Sequence, residues 1–283
     1  MINLISMPGS MTAACAMMYG LRGFQNTISA ACATGNMAIG EAYELIRSGR
    51  AKCVVAGGSE SLKSELSIWG IDIMKALSKE KDNPDRACCP FSRDRSGFVL
   101  AEGAAVVCLE EYESAVARGA KILAEIRGYA SLSDGENMTR PAEDVSCRAR
   151  TISQALSQAG ITPAEVDYIN AHGTSTQLND LYETRALKQV FGKNAYLIPV
   201  SSTKSYTGHL IGAAGSFETI VCVKAINDEI LPATINLNNP DPECDLNYLP
   251  DNHLTGHNIN TTVNVSSGFG GHNAALVITR GSD

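Results

Sequence analysis

The stretch that decides the fold is NTISAACATGNMAIGEAYELIRSGRAKCVVA, residues 26–56. It opens with a strand-like apolar run (Asn26–Ser29) and passes through a turn of small residues around Cys32. A helical face follows, with apolar side chains at Ala38, Ile39, Ala42, Leu45 and Ile46. Gly49 stands where a helix C-terminus favours glycine. Lys52–Ala56 is short, apolar and β-branched, and predicts a buried strand. The unit is strand, turn, helix, strand.

The same alternation continues outward. Val99–Leu109 reads as strand material interrupted by Gly103, Glu111–Arg118 as a helix stopped by Gly119, and Ile122–Tyr129 as a strand. Ser146–Ala159 reads as a helix ended by Gly160. Thr162-Pro163-Ala164-Glu165 matches a capping box with Pro at N1. Val166–Ala171 reads as a strand, Asp180–Phe191 and His209–Asn227 as helices, and Thr261–Ser266 with Asn273–Thr279 as a closing strand pair. Alternating elements of this kind favour a layered α/β fold with a mainly parallel buried sheet, whose sites lie just after strand ends.

Composition bounds the function. The chain has 283 residues and a formal net charge of −7, which argues against a general nucleic-acid or anionic-membrane binder. No run of about 18 apolar residues occurs that could span a bilayer, and Met1–Tyr19 lacks the basic start of a signal peptide. A cytoplasmic location is expected. Of the nine cysteines, which show no CxxC or Cys/His zinc spacing, eight read as reduced thiols packed as small hydrophobes. No metal site is expected.

Four segments stand out as chemistry. In Ser29-Ala30-Ala31-Cys32-Ala33-Thr34-Gly35-Asn36, a cysteine at a helix start feels the positive end of the dipole, which lowers a thiol pKa and yields a nucleophile. The alternative is a buried cysteine at a packed turn. In Asn170-Ala171-His172-Gly173-Thr174-Ser175-Thr176, a histidine at a strand end precedes hydroxyl residues that could fix its tautomer; a histidine satisfied by that turn is the alternative. In the stretch from Ser201 to Gly215, Lys204 and His209 precede a helix of small residues, and a loop capping that helix would look the same. In Ser267-Gly268-Phe269-Gly270-Gly271-His272-Asn273, three glycines around one phenylalanine bring backbone close to something else, although such runs usually mean a hairpin.

Together, and in this order, these motifs resemble the elongating β-ketoacyl–acyl carrier protein synthases of the thiolase superfamily. The resemblance runs from about residue 10 to the C-terminus and includes Pro90-Phe91-Ser92-Arg93-Asp94-Arg95-Ser96-Gly97-Phe98-Val99. It implies a thiolase-like α-β-α-β-α fold. Residues 1–120 would be the remainder of the N-terminal half with the nucleophile, and 121–283 the C-terminal half with the histidines. Family members carry about a third of their chain before the segment that begins here, so the N-terminal half is expected to be incomplete, with exposed strand edges.

By that resemblance Cys32 accepts an acyl group from the phosphopantetheine arm of a carrier protein, and no further cofactor is needed. His172 and His209 face the malonyl thioester. Lys204 orients the network, with Glu183 and Asp180 as supporting acids. The N–H groups of Cys32 and Phe269 form an oxyanion hole, and the Phe269 ring is a gate. Thr174 and Thr176 contact the pantetheine arm, while Gly268 and Gly270 shape the substrate loop. Lys75 falls in a carrier-contact region. Ser267, His272 and Ala101 depart from residues common in the fatty-acid enzymes. The implied partners are an acidic acyl carrier protein and a second ketosynthase-like chain, in a homodimer or heterodimer. The competing expectations are a non-catalytic partner subunit, a truncated form without autonomous activity, and a thiolase or coenzyme A-primed relative.

Overall fold

The structure is a computed structural model and describes residues 7–281; residues 1–6 of the Met1–Tyr19 stretch lie outside the described residues. Helix α1 (Ser10–Tyr19) buries no residue. Helix α2 (Thr34–Arg47) is followed by β1 (Cys53–Glu60), α3 (Glu65–Ile73), β2 (Gly103–Glu110), α4 (Tyr112–Ala117) and β3 (Glu125–Ser133). Next come α5 (Ser146–Ala159), β4 (Tyr168–Asn170), α6 (Gln177–Phe191), β5 (Val200–Ser201), α7 (Lys204–Thr207) and α8 (Ala214–Asp228). The chain ends with β6 (Ile230–Leu231), β7 (Leu254–Thr255), β8 (Thr261–Gly268) and β9 (His272–Thr279).

Five strands form the central sheet in the order β3-β9-β8-β4-β5. Side chains alternate across it. Val263, Val265, Ala275 and Val277 meet Ile152, Ala155, Leu156 and Leu187 of α5 and α6 on one face. Ala274, Leu276 and Ile278 meet Ile39 of α2 and Cys222, Ala225 and Ile226 of α8 on the other. Beyond α2 and α8 lies the antiparallel β1–β2 ribbon, whose Ala56, Val107 and Leu109 pack on the same cluster. Four layers, α-β-α-β, are thereby built. No continuous fifth layer covers the outer face of the ribbon among the described residues: Val55 and Val106 stay 56% and 63% exposed.

The sheet is mixed, but its parallel share is smaller than the alternation suggested. β4 pairs parallel with β5 and β8, whereas β3, β9 and β8 pair antiparallel. The closing strand pair explains this, because a hairpin between Gly268 and His272 must reverse direction. Three local expectations also need correction. Asn26–Ser29 forms no strand, and of Lys52–Ala56 only Cys53–Ala56 is strand, the start of a longer one that is half-exposed, not buried. His209 lies before its helix: a 3₁₀ turn, Ile211–Ala213, intervenes. By contrast, α5 ends at Gly160 in the left-handed region as expected, and both bonds of the Thr162–Glu165 capping box form, around a 3₁₀ turn.

Helices α2 and α8 cross with almost no gap. A Cβ on Gly35 would sit 2.4 Å from the Ser216 nitrogen, and one on Gly215 would sit 2.6 Å from the Asn36 nitrogen. Asn36 and Asn264 seal the crossing with buried amide hydrogen bonds. This crossing sets the depth at which the start of α2, and hence Cys32, enters the molecule.

Candidate active site

Cys32 sits inside the 3₁₀ turn Ala31–Ala33 that leads directly into α2. Ala31 has φ 47, outside the usual range for alanine, so the turn holds the cysteine in a strained pose. The Thr34 hydroxyl accepts the Ala30 N–H at 2.9 Å and braces the turn. Gly268, at the end of β8, lies against this turn: a Cβ there would meet the Ala30 oxygen at 2.7 Å and the Cys32 nitrogen at 3.1 Å. The close approach inferred from the glycine run is therefore to the Cys32 turn itself. It carries the Phe269 N–H to the cysteine, so that the backbone N–H groups of Phe269 and Cys32 both face the thiol.

The thiol pKa runs opposite to the expectation from the helix start. Burial pushes Cys32 up to about 11, against the downward pull of the Lys204 charge and the two N–H groups. Desolvation outweighs the pull of the helix start. In this resting state the sulfur is a thiol.

His172 follows β4, where the Ala171 N–H donates to the Ser201 carbonyl at 2.9 Å. The backbone N–H groups of His172 and Gly173 donate to the two oxygens of Glu183 at 2.6 and 2.8 Å. Glu183 thus clamps the turn that aims the imidazole. The Phe91 N–H donates to Asp180 at 2.9 Å, and Arg95 pairs with Asp180 and Asp241, which ties the Pro90–Val99 segment to α6.

His209 is held between Val99, whose carbonyl accepts its N–H at 2.7 Å, and the Phe98 ring, which lies edge-on at 5.0 Å. Its Nδ1 accepts the Ile211 N–H at 3.2 Å. A neutral imidazole that accepts at Nδ1 carries its proton on Nε2. That Nε2, like His172 Nδ1, has no hydrogen-bond partner among the described residues. The two rings stand 5.4 Å apart, nearly perpendicular. Burial holds both pKa values well below the usual histidine range, helped by the Lys204 charge, so both rings are neutral.

The ligand-type atoms of Cys32, His172 and His209 lie within 4.8 Å of one another. Such a trio could hold a soft metal on chemistry alone. His209 argues otherwise, because its Nε2–H is a donor while Nδ1 is engaged by Ile211. The arrangement suits an incoming oxygen that needs hydrogen-bond donors.

Lys204 begins α7, and its ammonium meets Glu218 of α8 at 2.5 Å, fully buried. The acid facing the lysine is therefore Glu218, which sequence reasoning missed; Glu183 serves the histidine turn. A signal existed. Glu218 lies in line with Ala214, Cys222 and Ala225 on the buried stripe of α8, and an acid on such a stripe needs a partner. Burial pushes Glu218 up to about 7 despite Lys204.

Thr174 and Thr176 hydrogen-bond each other at 2.9 Å beside His172. Phe269 is half-buried in the β8–β9 turn, where Gly270 and Gly271 have φ 82 and 77. Lys75 is exposed on the loop after α3 and is not part of the buried cluster.

Known proteins share this architecture. Residues 2–115 match the beta-ketoacyl synthase N-terminal domain, and residues 123–238 match the beta-ketoacyl synthase C-terminal domain. The chain belongs to the beta-ketoacyl synthase family. It is 47% identical over 265 residues to the 3-oxoacyl-[acyl-carrier-protein] synthase 2 of Synechocystis sp., covering 94% of this chain and 64% of that one. The synthase 2 of Coxiella burnetii is 46% identical over 262 residues, 93% of this chain and 63% of that one. A chain from a type II PKS acyl-carrier protein in complex with its ketosynthase bound to the hexaketide superposes with TM-score 0.94. It is 42% identical, over 97% of this chain and 67% of that chain. The ishigamide ketosynthase/chain length factor gives TM-score 0.90 at 32% identity, over 98% of this chain and 66% of that one. The chain thus spans less than two thirds of the length of the curated relatives. No helix among the described residues is long and apolar enough to cross a membrane.

Proposed function

We propose that this chain performs, or contributes the reactive centre for, decarboxylative Claisen condensation between a cysteine-bound acyl group and malonyl–acyl carrier protein, giving a 3-oxoacyl–carrier protein in fatty-acid or polyketide synthesis. One observation carries this reading: a buried thiol and two buried neutral imidazoles converge, with His172 Nδ1 and His209 Nε2 left without partners.

The proposed steps assign each of these groups a part. Cys32 attacks the carrier thioester, a new C–S bond forms, and the carrier thiol leaves with the proton that Cys32 gives up. The carbonyl oxygen of that tetrahedral species points at the N–H groups of Cys32 and Phe269, a preorganised pair of donors. Malonyl–carrier protein then loses CO2. The electron pair of the broken C–C bond becomes an enolate, whose oxygen is stabilised by N–H donors such as His209 Nε2–H. Neutral histidines suit this task, since a permanent imidazolium would bind the malonyl carboxylate in the ground state as well. The enolate carbon attacks the Cys32 thioester, the acyl C–S bond breaks, and Cys32 leaves as a thiolate that regains a proton from water. The bond energy comes from the thioester and CO2, so the only prosthetic group required is the carrier's phosphopantetheine. Lys204 and Glu218 set the field on Cys32, Thr174 and Thr176 would contact the arm, and the Phe269 ring would gate the site. Lys75 is offered as one contact for an acidic carrier.

A second reading is a subunit that works only with a partner chain, as a homodimer or heterodimer, and the exposed outer face of β1–β2 favours it. One experiment separates the two. The purified chain is incubated with acyl-loaded carrier protein and weighed intact, with Cys32→Ala in parallel. A gain of one acyl group, absent in the variant, supports autonomous acyl transfer. A folded protein that gains no mass sinks autonomous catalysis and leaves the partner-dependent subunit.

A further inference from the structure

Outside the reactive centre, two thiols come together that the condensation does not use. Cys53 opens β1 and Cys108 lies near the end of β2, with their sulfurs 3.4 Å apart. Both are free and exposed. The strand register pairs Val55 with Cys108, so Cys53 is the diagonal neighbour of Cys108 on one face of the ribbon. That face is the outward one, which also carries the exposed Val55 and Val106. The Glu110–Arg118 ion pair stands beside the thiols; partial desolvation, the adjoining Cys108 thiol and the Glu110 charge push Cys53 up to about 11, which the Arg118 cation offsets only in part.

We propose that Cys53 and Cys108 form a dithiol modification site, closed to a disulfide by a small-molecule disulfide oxidant. In the first step one cysteine, as thiolate, attacks the oxidant; its S–S bond breaks, a mixed disulfide forms, and one small thiol leaves. In the second step the neighbouring cysteine attacks the mixed disulfide and expels the second small thiol. The protein loses two hydrogens and two electrons, and the oxidant gains them as two thiols. The second step is intramolecular and needs a sulfur displacement of little more than an ångström, from 3.4 Å to about 2.05 Å.

The diagonal placement makes the bond reducible. Diagonal cross-strand pairs lie about 7–8 Å apart at Cα, longer than the usual disulfide span of about 4.4–6.8 Å, so closure draws the strands together. A strained, exposed disulfide is the labile kind that responds to the thiol pool. The ribbon is also the base of an excursion, residues 61–102, whose Phe98 ring rests against His209. The bond would close at the other end of the ribbon, away from the Glu60–Gly103 pair where that excursion leaves and returns.

The test uses the 283-residue protein, glutathione disulfide, intact-mass measurement and peptide mapping after alkylation of free thiols. Oxidant is raised until the exposed Cys15 is fully modified, which shows that the reagent is active. The expected result is loss of two hydrogens in a cross-linked Cys53–Cys108 peptide, reversed by mild reductant. Cys53→Ser and Cys108→Ser should each carry a persistent glutathione adduct on the remaining cysteine instead. Two free thiols alongside modified Cys15, or a lasting adduct on Cys53 or Cys108 in the unsubstituted protein, overturns the proposal. Neither outcome depends on condensing activity.

Discussion

The β8–β9 hairpin and the β1–β2 ribbon are built alike and end up in different surroundings. Each is an antiparallel pair with eight paired residues on each strand and no register shift. Each is rich in alanine and β-branched residues. Yet Val263, Leu276, Val277 and Ile278 of the hairpin are fully buried, while Val55 and Val106 of the ribbon are more than half exposed. Strand pairing satisfies the backbone in both cases and leaves burial to the layers. β8 has β4 beside it and helices on both faces, whereas the ribbon has one covered face and no third strand among the described residues. The site follows the same division: His172 leaves the end of β4, Phe269 sits at the β8–β9 turn, and Cys32 reaches both through the crossing of α2 with α8.

The largest effect that would sharpen this contrast lies at the buried ion pair. Glu218→Ala strands the Lys204 ammonium in the interior, and loss of one partner of a buried pair costs about 3–5 kcal/mol. Urea unfolding should show it as a lower midpoint at unchanged slope. Glu102→Ala, which removes the exposed partner of Lys63 just before β2, should leave that midpoint where it is. Equal midpoints for the two variants would mean that the interior around Lys204 is wetter than its burial implies.

How far the sequence reveals this division depends on what each residue reports. Cys32, His172, His209 and Phe269 were legible because each stands in a short motif beside glycine or small residues, and the structure does bring the two histidines to the cysteine. The closing strand pair and the end of α5 were legible because apolar period and glycine punctuation agree. Glu218 was not singled out because its partner lies fourteen positions away on another element, and side-chain pairing at that range leaves only a weak mark. The Cys32 pKa was misjudged for a related reason. A helix start is local and visible, but the desolvation that overrides it comes from β8, α8 and the 3₁₀ turn Ile211–Ala213 closing on the cysteine turn. Lys52–Ala56 reads as buried because apolar β-branched residues imply cover on both faces, and nothing local reports whether a layer exists.

Paired valine truncations test the contrast on a smaller scale. Val263→Ala empties a fully buried site between β8 and α5–α6 and should cost about 2 kcal/mol, from lost transfer energy and a residual cavity. Val106→Ala, on the open face of the ribbon, should cost under about 0.5 kcal/mol. Comparable losses would show that something covers the ribbon in solution, and a concentration-dependent loss for Val106→Ala would identify the cover as a second copy.

The smallest effect comes from protons, and it opposes groups within the site. Burial lowers the folded pKa of His172 and His209, so their contribution to stability is present above the unfolded value near 6.5 and is lost as pH falls. Between pH 7 and 6 that amounts to about 0.7 kcal/mol per histidine. Glu218 works in the other direction. Its folded pKa is raised to about 7, so its contribution is lost as pH rises and recovered on acidification. Over the same interval it returns about 1 kcal/mol. The unsubstituted protein should therefore be nearly flat from pH 7 to 6, because proton uptake by Glu218 masks the cost of the neutral histidines. Glu218→Gln keeps an acceptor near Lys204 but cannot titrate, so its stability should fall by about 1.4 kcal/mol over that unit, read by urea unfolding at each pH. A flat Glu218→Gln profile would mean that the histidines are not held neutral by burial. An unsubstituted protein that falls as steeply as the variant would mean that Glu218 is already ionised and that Lys204 holds its charge in place.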